Sequence, residues 1–116
     1  MTGVKIPAHL QPYIDALGED LGIEFLLSFG GSYVYLSERP QARSPVVELL
    51  GEELSITLAR SVGAGSFRVP VGKPFIARHF RAKRWTINAI ARKLHVTDVT
   101  VRGWLKQADT RQLSLL

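Results

Sequence analysis

"IARKLHVTDVTVRGWL", Ile90 to Leu105, sets two short amphipathic segments on either side of a turn containing His95, Val96 and Thr97. Such a stretch reads either as a helix-turn-helix that meets DNA or as an ordinary hairpin closing a small bundle. The spacing predicts a first helix with Thr86 as its N-cap, running to Leu94. Ile90 and Leu94 then face inward, and the small Ala91 sits at the crossing point, where a larger side chain would hold two helices apart. His95 falls at the turn position where φ is often positive, a conformation that histidine tolerates better than most residues. Val96 can fill the space between the helices. Thr97 is the cap of the second helix, whose inward stripe is Val101, Trp104 and Leu105.

This assignment leaves Asp98, Val99, Arg102, Gly103 and Lys106 on or near the outer face. A glycine inside a helix costs about 1 kcal/mol relative to alanine. Gly103 makes sense where the helix is pressed so near a partner that a side chain would obstruct it. Arg102 can span guanine O6 and N7 with two hydrogen bonds, and Val99 can touch a thymine methyl. Thr97 and Thr100 suit a phosphate or a base edge. Just upstream, "PFIARHFRAKRW" supplies Phe75, Ile76 and Phe80 as the packing face of a supporting helix, closed by Trp85. Arg78, Arg81, Lys83 and Arg84 on that helix, with Thr86 after it, are placed to meet phosphates and set register without reading sequence.

Charge divides the chain in the same place. Residues 1 to 70 carry five Lys/Arg and eight Asp/Glu, a net of −3, and residues 71 to 116 carry ten and two, a net of +8. The basic part suits nucleic acid and the acidic part suits protein. There is no cysteine, and His9, His79 and His95 are scattered, so neither a metal nor another cofactor is expected. No apolar run reaches the roughly 18 to 20 residues of a membrane span. The N-terminus lacks a signal-peptide layout, so a cytoplasmic, nucleoid-associated protein with no membrane contact is expected.

In the acidic part Leu10, Ile14, Leu17 and Leu21 recur at helical spacing, and Ile23 to Phe29 adds an apolar stretch after Gly22, so two short helices fit. Gly30 and Gly31 stop the helix, and Tyr33 to Leu36 has strand character. After the loop "ERPQARSP", Ser44 and Pro45 make a cap and first helical position. A second copy of this order comes next with a shift of 33 residues, placing Leu21 on Leu54, Ile23 on Ile56, Ser28 on Ser61, Phe29 on Val62, Gly30 on Gly63 and Leu36 on Val69. So small a unit leaves strand edges open, and pairing them across a two-fold axis would cover them. A homodimer with Phe29 and Leu58 in a shared core is therefore expected. The alternative is a monomer whose two strands pair with each other.

"FGGSYVYL", "SPVVELLGEEL", "VGAGSFRVP" and the two-helix stretch, in this order, resemble the Mor/C family of phage transcription activators over roughly residues 8 to 108. The resemblance implies an N-terminal dimerisation domain, a glycine linker with a short strand, and a C-terminal helix-turn-helix acting at a phage or prophage promoter. Two departures stand out: Gly63-Ala64-Gly65 replaces adjacent glycines, and Arg68 stands where the family often has Tyr. An arginine there suits a narrow minor groove.

The expected fold is mainly α with two short β-strands, a helical dimerisation domain over 1 to 62, a glycine linker over 63 to 72, a helix-turn-helix over 73 to 108 and a tail over 109 to 116. The expected function is a sequence-specific transcription activator binding an imperfect palindrome in double-stranded DNA, with RNA polymerase as its protein target. The rival is a DNA-bound adaptor. "QLSLL", with Gln112, Leu113, Leu115 and Leu116, resembles the pentapeptide by which many bacterial proteins bind the replication sliding clamp. It comes after the polar run "QADTRQ", read as a frayed helix end or linker, and the other reading is that its leucines fold back on the core. No catalytic constellation stands out, so an enzyme is not expected.

Overall fold

Gly18 has φ 80° and ψ 168°, and Gly51 has φ 82° and ψ 167°. This region of backbone space is essentially closed to residues with a Cβ, so each glycine ends one helix and starts another. At Gly18 α1 (Gln11–Leu17) gives way to α2 (Glu19–Phe29), and at Gly51 α3 (Pro45–Leu50) gives way to α4 (Glu52–Val62). These elements belong to a computed structural model that describes residues 4 to 114. The chain forms two compact units, one spanning Ile6–Gly72 and the other running from Lys73 onward together with Val4 and Lys5.

In the first unit the helix break expected at Gly22 lies four residues earlier. Gly22 is instead buried inside α2, where an added Cβ would come within 2.6 Å of the Ile14 Cδ1. The close approach of α1 and α2 is what that glycine serves. Tyr13 stacks on Phe25 with ring centroids 5.8 Å apart, and Phe25 meets Phe29 at 5.0 Å. Ser44 caps α3 by accepting from the Val46 N–H, as the Ser-Pro pair predicts. α1 lies against both α4 and α2, while α3 packs chiefly on α4. The Ser61 hydroxyl donates to the Pro12 carbonyl at 2.7 Å, tying α4 to α1.

The strands correct the expected pairing across a two-fold between chains. β1 (Tyr33–Leu36) and β2 (Gly65–Arg68) pair with each other, antiparallel, with Tyr33 opposite Arg68, Val34 opposite Phe67, Tyr35 opposite Ser66 and Leu36 opposite Gly65. Residues 63 to 72 thus contain a strand bonded into the first unit. Val34, Leu36 and Val69 are buried beneath the sheet, and Tyr33 and Tyr35 stand out on its other face. Leu58, expected in a core shared between subunits, is fully buried within the chain's own first unit, and Phe29 is half-buried there.

The second unit is three helices, α5 (Lys73–Ala82), α6 (Ile87–Leu94) and α7 (Asp98–Ser114), each packed on the other two. α5 buries Phe75, Ile76, Ala77, His79 and Phe80. Burying one such large apolar side chain stabilises by about 1.5 to 3 kcal/mol, so this face is what holds α5 to its neighbours. α7 continues to Ser114, so the polar run after Lys106, expected as a frayed end or linker, is helical to that residue. Among the described residues no helix is long and apolar enough to cross a membrane.

Candidate nucleic-acid interface

Thr86 lies in extended backbone, and its hydroxyl oxygen accepts from the Ala89 N–H at 3.1 Å, starting α6 where the sequence predicts. Ile90, Ala91 and Leu94 are the buried residues of this helix. It ends on His95 at φ 56° and ψ 47°, the left-handed conformation expected of the turn position, and the Val96 N–H reaches back to the Ala91 carbonyl at 3.1 Å. The 6→1 bond closes the helix and sends the chain sharply into α7. Thr97 then accepts from the Thr100 N–H at 3.2 Å, and the two threonine hydroxyls lie 3.0 Å apart.

α5 ends in the same way, with Arg84 at φ 69° and the Trp85 N–H bonded to the Phe80 carbonyl at 3.0 Å. Trp85 stacks on Phe80 at 4.1 Å, and Arg81 donates to the Trp85 carbonyl at 2.9 Å. Arg84 and His95 are the non-glycine residues with positive φ among those described, and each joins two helices of this unit.

Only Val101 of the predicted inward stripe of α7 is fully buried; Trp104 and Leu105 are half-buried. The outer face is as the spacing places it: Val99 is 70% exposed, and Arg102, Gly103 and Lys106 are exposed beside it. Asp98, one turn before Arg102, forms an ion pair and hydrogen bond with its guanidinium. Asp98 also lies in the first turn of α7, where a negative charge meets the positive end of the helix dipole. A Cβ added at Gly103 would meet nothing within 4 Å, so no packing among the described residues accounts for the glycine.

An open cleft between α6 and the start of α7 is bordered by Asn88, Arg92, His95, Thr97 and Asp98. The spacing gives the first helix roles only at its Thr86 cap and at the inward Ile90, Ala91 and Leu94, so Asn88 and Arg92 carry no expected contact; their signal is position, one turn apart on the side of α6 facing away from Ile90 and Leu94. Arg81, Lys83 and Arg84 are exposed and Arg78 is half-buried. Arg68 belongs to the first unit, where its guanidinium lies 4.7 Å from the Tyr33 ring centroid and donates to the Tyr33 hydroxyl at 3.1 Å. Leu115 and Leu116 lie outside the described residues, as do the side chains of Gln112 and Leu113 of the clamp-like pentapeptide.

A scan against protein-family models, a search of curated proteins and a search of solved structures found no match to this chain. The resemblance to the Mor/C activators rests on the quoted residues.

Proposed function

We propose that the protein is a sequence-specific DNA-binding regulator of transcription, with α6 and α7 as its helix-turn-helix and α7 as the helix that enters the major groove. The observation that carries this reading is the outer face of α7, where an exposed valine, a buttressed arginine and a glycine with open space beside it lie together. On a solvated helix face Val99 gains nothing from burial and Gly103 costs about 1 kcal/mol relative to alanine. A groove has use for both, a methyl contact from the one and close approach at the other. The basic balance of the second unit favours a polyanion.

In this mechanism Arg102 reads guanine while Asp98 keeps its fork aligned. Thr97, Thr100 and the cations Arg78, Arg81, Lys83, Arg84 and Lys106 meet the backbone. The resemblance to phage activators supports regulation of transcription as the outcome. Selection of bound sequences from a random duplex pool tests the reading, and a reporter driven by the selected site extends it. An enriched motif in which Arg102→Ala relaxes one position supports it; binding of equal strength to all sequences overturns it.

A further inference from the structure

We infer that one chain reads one asymmetric half-site as a monomer, because its first unit already contains, within a single polypeptide, the pairing that a second subunit would supply. This rests on the DNA reading of α7, but the observations behind it lie elsewhere, in the 33-residue repeat.

The repeat is closer in the structure than in the sequence. Gly18-Glu19-Asp20-Leu21 and Gly51-Glu52-Glu53-Leu54 open α2 and α4 with matching glycine conformations. The bonds that close α1 and α3 match, Gly18 N–H to the Ile14 carbonyl at 2.8 Å and Gly51 N–H to the Val47 carbonyl at 2.7 Å. So do those that end α2 and α4, Gly30 N–H to the Leu26 carbonyl and Gly63 N–H to the Ala59 carbonyl, both at 2.8 Å. The strand register extends the match to the sheet. Val34 and Phe67 are 33 residues apart, the repeat spacing, and they are directly opposed. Equivalent residues of two copies face each other only where a local two-fold axis passes between them. The sheet is therefore organised as a dimer's would be, inside one chain.

The two copies lead into different segments. After β2 the chain enters α5 and the DNA-reading unit. After β1 it enters residues 37 to 44 and then α3, with Glu38 held by Arg60 at 2.7 Å. One internally paired unit thus serves one recognition helix. One edge of each strand is joined to the other, the pairing that a partner subunit's strand would otherwise supply, and the first copy leads to no counterpart of α7 among the described residues.

The full-length protein is weighed by sedimentation at tens of micromolar, alone and with DNA, and its preferred site is taken from a random duplex pool. The expected result is a monomer, a one-to-one complex and an enriched motif that is a single non-palindromic element. The salt dependence should be correspondingly shallow. For about four phosphates, log K falls against log salt with a slope of about −3.6, compared with about −7 for two chains. An inverted repeat bound by two chains, or a dimer in free solution, overturns the inference and leaves the DNA reading standing. Absence of any enriched sequence overturns both.

Discussion

Asp98 and Arg102 are bonded to each other one turn apart at the start of α7, both partly exposed. An arginine held this way loses less side-chain freedom when it meets a base, because its planar fork is already oriented. Replacing Arg102 with Ala is expected to cost about 1 to 3 kcal/mol and to relax preference at one base pair. Asp98→Asn should leave affinity for random DNA level or higher while lowering the ratio of specific to random binding. Titration of both variants against selected and scrambled duplexes measures this, and equal losses on the two duplexes for Arg102→Ala would remove it as the reader.

Gly103 separates stability from binding. With open space for a Cβ and helical surroundings, Gly103→Ala should stabilise the second unit by up to about 1 kcal/mol. The same methyl should weaken DNA binding if α7 is pressed into a groove. Thermal melts and duplex titrations on one preparation show both effects; a variant that melts higher and binds as well as the parent counts against close approach at this position.

His95 is the residue on which α6 turns into α7. A left-handed backbone costs a residue with a Cβ about 1 to 2 kcal/mol, and a β-branched side chain is least tolerant of it. His95→Val should lower the melting temperature, and His95→Gly should hold or raise it. The reverse order would mean that the imidazole itself contributes to the turn.

Leu58 tests where the core lies. A charge there would be buried without a partner, a cost of several kcal/mol. Leu58→Glu should therefore abolish helical circular dichroism of the first unit rather than merely separate subunits. A folded Leu58→Glu protein of reduced mass would restore the shared-core arrangement expected from the sequence.

Tyr13 gives the first unit an alkaline limit. Burial raises its pKa above the usual tyrosine value, since the phenolate is disfavoured away from water. The neutral phenol is thus favoured in the fold, and its contribution is complete below the ordinary tyrosine value of about 10 and lost as pH rises through the folded value. Denaturant titrations from neutral pH to above pH ~10 should show stability falling, and Tyr13→Phe should flatten that fall.

Local signals in the sequence carried most of the second unit. Thr86 and Thr97 announce their helices because a hydroxyl cap acts within three residues, as Ser44 does in the first unit, and His95 marks its turn through its own backbone. The first unit was less legible. Whether β1 pairs with β2 or with another chain depends on contacts about thirty residues apart, which no local pattern encodes. The break at Gly18 rather than Gly22 was hidden because both glycines lie in the same apolar period, and only packing against Ile14 distinguishes them. Asn88 and Arg92 were missed for a similar reason: the cleft they border exists only once α6 and α7 are crossed.

The opposition of Val34 and Phe67 has a meaning for how such a protein can change over generations. Where identical subunits meet on an axis, a residue must face its own copy, and any substitution occurs twice at once. A covalent tandem is released from that constraint. Here, at the axial position, a small branched side chain lies across from a large aromatic one, a pairing that two identical strands in this register could not form. Each half is free to drift while the other compensates, so the two copies can diverge in sequence yet retain a common backbone.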